Sequence, residues 1–204
     1  MTLNILDAFS GSGNWVYPWK KTVSFDIHID SIDILNLPHI THCMDIRNFV
    51  PDKKYHIVYA SFPCTHFSKI KATNKKKTTD KEWQEAIDLA NIAFELSKHA
   101  KLCYVIENPF SGYAPKIFPN YKIVDYSMYG FCMRKRTAIW SNLPLNLKTQ
   151  KEVCYNKKPL SSMGTVKRSA IPIPLSEYIK RIIIRTFNKE LQDFKLKPKL
   201  IPVS

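Results

Sequence analysis

No apolar run in this sequence approaches the length of about 20 residues that a bilayer-spanning helix needs. The longest, such as Leu102-Cys103-Tyr104-Val105-Ile106 and Ile182-Ile183-Ile184, are far shorter. A signal-peptide layout is also missing, because the N-terminus goes straight into a strand-like pattern. These absences lead us to expect a soluble intracellular protein without a membrane partner. The five cysteines, Cys43, Cys64, Cys103, Cys132 and Cys154, include no Cys-x-x-Cys pair, so neither a disulfide framework nor a metal cluster is expected. There is no internal repeat and no low-complexity segment beyond Lys75-Lys76-Lys77. Acidic residues are scarce: 17 stand against 31 lysines and arginines, a formal net charge of +14. That excess predicts an anionic partner, with nucleic acid ahead of a membrane surface, and does not choose between DNA and RNA.

What is present suits one domain: 204 residues, 45% of them hydrophobic, can bury a real core. Residues Leu3–Ala8, 22–26, 56–60 and 102–107 read as strands and Asp80–Lys98 reads as a helix, an alternation that predicts a parallel α/β sheet. In the helical stretch Trp83, Ala86, Ile87, Ala90, Ala93, Phe94 and Ser97 recur at three- and four-residue steps, with Thr79 or Asp80 as N-cap. That face packs on the sheet. Beyond Trp140 the chain turns polar and lysine-rich over 142–162, with prolines at 144 and 159, which reads as an irregular connector. Ile171-Pro172-Ile173-Pro174 then leads into 175–187, where Tyr178, Ile179, Ile182, Ile183 and Phe187 predict a helix returning to the core. The expected organisation is a core over 1–140, a short connector over 141–168, and a closing helix with a basic tail over 169–204.

The segment Ile5-Leu6-Asp7-Ala8-Phe9-Ser10-Gly11-Ser12-Gly13 runs from a strand into small residues, which lets the backbone turn sharply beside a ligand at the strand's carboxyl end. It lacks the third glycine of the dinucleotide fingerprint, and a purely structural turn uses two glycines equally well. The next strand, ending Val23-Ser24-Phe25-Asp26, places an acid where a carboxylate accepts hydrogen bonds from ribose hydroxyls, and Asp45 in Met44-Asp45-Ile46 follows at the next comparable point. Three ligand-type positions at the same end of successive elements favour a nucleotide-like cofactor. Trp15, Tyr17 and Trp19 read either as base-stacking aromatics or as packing beneath this loop.

Three further motifs carry a family resemblance. Ser61-Phe62-Pro63-Cys64-Thr65-His66-Phe67-Ser68 resembles the Pro-Cys motif of cytosine carbon-5 methyltransferases, Ile106-Glu107-Asn108-Pro109 resembles their Glu-Asn motif, and Arg134-Lys135-Arg136 is similar to their Arg-x-Arg motif, in the family's order. Together with residues 7–13, Asp26 and Asp45, the resemblance covers roughly residues 3–140, with a faint return over 169–179. It implies a Rossmann-like methyltransferase fold, with a mostly parallel sheet, helices on both faces and a small C-terminal addition. It also implies S-adenosylmethionine as methyl donor, with S-adenosylhomocysteine as product, held by Phe9, Ser10, Gly11, Gly13, Asp26, Ile27, Asp45, Ile46 and Pro63.

The chemistry explains why such residues belong together. Carbon 5 of cytosine is too weak a nucleophile for direct attack on a methyl sulfonium, whereas thiolate addition at carbon 6 makes it enamine-like. Cys64, on a turn whose backbone Pro63 fixes, is the nucleophile that the resemblance implies. Negative charge then builds on the ring, and Glu107 is the implied acid at ring nitrogen 3 and the exocyclic amine. Arg136 or Arg134 is the implied donor to the base's carbonyl oxygen and the cation that holds Cys64 as thiolate. Taken singly, the motifs read otherwise: a buried small hydrophobe, a strand end before a turn, and a solvated basic patch. His66 stands two residues from Cys64, a spacing at which the two side chains of a protease-like pair diverge.

A paired base is buried in its stack, so an enzyme attacking it flips the nucleotide out or takes single strands. The stretch 69–79, with five lysines and no acid, lies beside the nucleophile and resembles the family's catalytic loop; Ser68, Lys69, Lys71, Lys75, Lys76 and Lys77 are expected at phosphates. The chain departs from the family at Thr65 and Met133, each where glutamine is common, and the second departure leaves the arginine register open by one position. It also has too few residues over 141–168 for a target-recognition domain, so specificity is expected to be short, loose or supplied by a protein partner. Compact members in phages and large DNA viruses share this economy, and the run from Tyr126 to Trp140 resembles theirs, which implies a viral origin. DNA is the expected polymer. Transfer RNA is the alternative, and a non-catalytic nucleic-acid-binding protein that keeps the cofactor fold is the competing class.

Overall fold

The computed structural model describes residues 1–67, 78–149 and 169–196. Its centre is a seven-stranded sheet in the order β3-β2-β1-β4-β5-β7-β6. The strands are β1 (Leu3–Ala8), β2 (Ile27–Asp33), β3 (His42–Cys43), β4 (Ile57–Ala60), β5 (Cys103–Pro109), β6 (Lys122–Asp125) and β7 (Arg136–Ser141). From β3 to β5 every pairing is parallel, whereas β7 runs antiparallel to both β5 and β6. The order reverses at β1, which sits between β2 and β4, and at such a switch point the loops leaving the strands' carboxyl ends part to form a crevice.

Helices cover both faces. Alternation along β1 sends Leu3 and Ile5 to one side and Leu6 and Ala8 to the other, so each side of the sheet needs its own cover. On the second side lies α2 (Asp80–Lys98), after the four-residue α1 (Tyr17–Lys20) on the first; Ala86, Ala90, Ala93 and Leu96 form its inner stripe. Thr79 caps α2 in a reciprocal capping box with Glu82, a device that stabilises a helix start by about 1 kcal/mol. After α3 (Ala114–Ile117) comes α4 (Ile173–Thr186), which returns to the first side and lays Leu175, Ile179 and Ile183 over the core that holds Trp15, Val16 and Trp19. This is a Rossmann-like α/β architecture. Among the described residues no helix is long and apolar enough to cross a membrane.

One strand differs from its sequence reading. The stretch 22–26 is not a sheet strand: Phe25 bridges Lys195, and the Ser24 carbonyl accepts from the Leu196 amide. The strand is instead Ile27–Asp33, set by the pairing of Leu3 with Ile27 and Ala8 with Ile32. Its polar middle is satisfied internally. Buried Asp30 accepts hydrogen bonds from Tyr55 Oη (2.7 Å), Lys53 Nζ (3.1 Å) and the Nε2 atoms of His28 and His42 (3.0 Å each). Burial alone raises the Asp30 pKa, but hydrogen bonds from Tyr55, His42 and Lys53 outweigh it and bring it to about 2.

Candidate active site

A cavity of about 410 Å³ opens at the carboxyl ends of β1, β2, β4 and β5. Phe9, Ser10 and Gly11 form one wall, Asp33, Ile34 and Leu35 a second, and Met44, Asp45 and Ile46 a third; Pro63, Cys64, Glu107 and Lys135 close its far end.

The first wall is a turn in left-handed backbone. Phe9, Gly11 and Gly13 have φ of 56°, 52° and 69°. At Gly13 a side chain is excluded twice over, since a Cβ would also stand 2.6 Å from His39 Cδ2. Phe9 is the costly position, because a bulky residue rarely adopts this conformation, and such strain collects at ligand sites. Asp33 pins the turn from the neighbouring strand, accepting the Gly11 amide at 2.8 Å on one oxygen and the Leu35 amide at 2.9 Å on the other. Asp33 also lines the cavity, and a carboxylate at such a strand end is the group that accepts from ribose hydroxyls. Ile34, Leu35, Met44 and Ile46 supply apolar surface beyond them, suited to a purine. Asp45 caps the 3₁₀ turn Ile46–Asn48 and pairs with Arg47, whose hydrogen bonds hold its carboxyl below the usual range.

Beneath the turn lies Asp7, fully buried, with Oδ2 accepting from Ser10 Oγ at 2.6 Å and Oδ1 unpartnered. Burial pushes its pKa up to about 7 from 3.8. The native state therefore keeps a proton that the unfolded chain has released. Stability is complete below about pH 4, declines between about pH 4 and 7, and stays reduced above, by a total on the order of 4 kcal/mol. Asp7→Asn, which mimics the protonated form, is expected to raise the unfolding temperature most at pH 8, by well under half as much at pH 5, and hardly at all at pH 3, read by thermal denaturation at the three pH values.

Cys64 sits at the far end, on the turn that leaves β4, half-buried and in no disulfide. Two neighbours lock that turn. Asn108 Nδ2 donates to the Phe62 carbonyl at 2.8 Å, which ties the end of β5 to the residue before Pro63. The Trp15 indole donates to Ser61 Oγ at 2.9 Å and stacks on Tyr59 with ring centres 5.5 Å apart. Trp15 and Trp19 are buried, so both are packing beneath the loop, and Trp15 also reaches the cavity wall. Glu107, 5% exposed, projects from β5 with Oε1 accepting from Tyr126 Oη at 3.0 Å. Burial, with Glu107 and Cys64 adding to it, pushes the Tyr126 hydroxyl's pKa well up, so it stays a donor.

Five described residues expected at the site from the sequence do not line this cavity: Gly13, which shapes the turn from behind, and Asp26, Ile27, Arg134 and Arg136. Asp26 is exposed ahead of β2, at the end of the sheet away from the cavity, and accepts from Thr2 Oγ1; Ile27 opens the strand beside it. Asp33 occupies the place expected for Asp26, because the strand begins five residues later than its sequence reading. Along β7 alternation sets the outcome for the basic run. Thr137 and Ile139 share the Glu107 side of the sheet, Ala138 and Trp140 take the other, and Arg136 goes with the latter, its guanidinium 5.0 Å from the Phe110 ring. Arg134 Nε bonds Asp125 Oδ2 at 3.2 Å. Lys135 is the buried member, its Nζ 4.0 Å from Glu107 Oε1 and 4.5 Å above the Tyr126 ring. Ser68, Lys69, Lys71, Lys75, Lys76 and Lys77 lie outside the described residues, as does most of the connector.

The fold and this cleft define the class: a Rossmann-like α/β domain whose nucleotide-type crevice runs into a pocket holding a cysteine, a carboxylate and a lysine. No family model matches the chain. It is 24% identical over 163 residues, 69% of this chain and 71% of the relative, to a probable DNA (cytosine-5)-methyltransferase of Frog virus 3 (isolate Goorha). Among solved structures it is similar to the Entamoeba histolytica methyltransferase EhMeth, with a TM-score of 0.47 and 12% identity over 79% of this chain. It spans 62% of that protein's length.

Proposed function

We propose that the chain transfers a methyl group from S-adenosylmethionine to carbon 5 of cytosine in DNA, through a covalent bond between Cys64 and carbon 6. The observation that carries this reading is one continuous cavity with a nucleoside-type wall at one end and Cys64 with Glu107 at the other. The relative's name supports the same reaction.

The residues present fit the methyl donor. Asp33 offers carboxylate oxygens for ribose hydroxyls, the Phe9–Gly11 turn brings backbone close, and Ile34, Leu35, Met44 and Ile46 give an apolar seat for adenine. Once bound, that molecule supplies an electrophilic methyl group. Cys64, as thiolate, adds to carbon 6 of the flipped base, and the ring's electrons shift toward carbon 5 and nitrogen 3. Glu107 reads the amino group and nitrogen 3, fixed by Tyr126 at one oxygen so that the other faces the base. Carbon 5 takes the methyl group, a base removes the proton from that carbon, and the thiolate leaves with its bonding pair. Cys64 sits on a turn held by Asn108 and Trp15, so attack costs little reorganisation.

The test is transfer of labelled methyl from S-adenosylmethionine to cytosine-containing duplex DNA, single-stranded DNA and transfer RNA in parallel. Label in DNA is expected. Label confined to transfer RNA would move the substrate to RNA, and binding without transfer would leave a non-catalytic binding protein.

A further inference from the structure

The proposed reaction needs a cation beside the base, and the basic run provides three candidates. Lys135 is 8% exposed and lines the cavity with Cys64 and Glu107, which neither arginine does. A buried lysine is expensive unless its ammonium is paired, because desolvation penalises the charge. Its backbone is fixed: the amide donates to Asp125 Oδ1 at 3.3 Å and the carbonyl accepts from the Tyr126 amide at 3.0 Å. Its Nζ is held less completely. It rides 4.5 Å above the Tyr126 ring and stands 4.0 Å from Glu107 Oε1, outside hydrogen-bond range. Among the described residues this Nζ makes no hydrogen bond, so its donors are available inside a pocket that already holds a carboxylate.

Resting on the methyl-transfer reading, we propose that Lys135, and neither Arg134 nor Arg136, is the cation of the base subsite. Its ammonium takes the carbonyl oxygen that flanks the ring nitrogen read by Glu107. A carboxyl group and an ammonium 4.0 Å apart complement the amino, ring-nitrogen and carbonyl edge of cytosine, with the carboxyl's O–H donating to the ring nitrogen and its other oxygen accepting from the amine. Uracil presents a carbonyl where cytosine has its amine and so meets Glu107 with the wrong polarity. When Cys64 adds to carbon 6, the charge that builds on the ring is met by the ammonium in a water-poor pocket. The same cation favours the Cys64 thiolate. Lys135 reaches this place because β7 is antiparallel to β5: the start of β7 then lies beside the end of β5, where Glu107 projects.

The experiment compares wild type with Lys135→Met, Lys135→Arg and Arg136→Met. Cofactor affinity, measured by calorimetry, shows that each variant is folded. Lys135→Met is expected to lower kcat/KM for methyl transfer roughly 10- to 100-fold, the worth of one hydrogen bond to a charged group. Lys135→Arg is expected to restore part of that loss, and Arg136→Met to lose less than Lys135→Met. A second readout needs no transfer: alkylation of Cys64 by iodoacetamide, followed against pH, shifts to higher pH in Lys135→Met. Unchanged transfer with an unshifted profile, or a greater loss in Arg136→Met, overturns the proposal. A wild-type protein that transfers no methyl group yet shows the shift in Lys135→Met sinks the functional reading and supports the placement of the cation.

Discussion

Replacing Cys64 with serine is expected to lower methyl transfer by on the order of 10⁴-fold or more, because a serine hydroxyl is not ionised at neutral pH and adds poorly to carbon 6. Binding of S-adenosylmethionine is expected to persist, since the cofactor walls are built from other loops and the turn at 61–64 is held by Asn108 and Trp15 rather than by the thiol. The two measurements together separate chemistry from folding: labelled transfer falls while calorimetric affinity stays within a few-fold. A Cys64→Ser protein that methylates at half the wild-type rate would remove the covalent mechanism altogether.

Asp33 carries the second large effect. Its carboxylate ties the Gly11 amide and the Leu35 amide and faces the place where ribose hydroxyls are expected. Asp33→Ala takes away two hydrogen bonds to a charged group and loosens a turn that already holds Phe9 in a strained conformation. Cofactor affinity is expected to drop roughly 100- to 1000-fold. Asp26→Ala, at the other end of the sheet, is expected to leave it within twofold. Calorimetry on the two variants decides between them, and a larger loss in Asp26→Ala would restore the ribose role to that residue.

The contrast between these two acids shows what a sequence makes legible here. Strands β1, β4 and β5 and helix α2 are apolar runs or stripes, and burial follows apolarity. Strand β2 is Ile-His-Ile-Asp-Ser-Ile-Asp, and its polar members are affordable only because Asp30 gathers Tyr55, Lys53, His28 and His42 around it. Those partners come from distant segments, so local composition favours the more apolar 22–25 and shifts the acid by seven positions. A signal was present: the period-two alternation from Ile27 to Ile29 ends in Asp33. The basic run is a similar case. Its three cations are alike as letters, and only the face taken by Thr137 and Ile139 tells which one points inward. Cys64 and Glu107, expected together from the chemistry, do line one cavity, whereas Tyr126 and Asn108 hold this region through geometry that no spacing encodes.

Helix α4 also bears on how the chain acquires this site as it is made. The core under the glycine turn is finished by residues from the far end of the sequence: Asn14 Nδ2 donates to the Ile171 carbonyl, Lys180 Nζ donates to the Pro18 carbonyl, and Leu175, Ile179 and Ile183 cover Trp15, Val16 and Trp19. During synthesis β1 and the turn after it emerge first, yet their outer cover emerges some 150 residues later, a separation given by the bond from Asn14 to Ile171, |i−j| = 157. At about 5–20 residues per second the apolar underside of that turn is uncovered for seconds or tens of seconds. Completion of the cavity is thus a late event in the life of each nascent chain, and ribosomes halted before α4 would hold a sheet with Cys64 present and the glycine turn still unsupported.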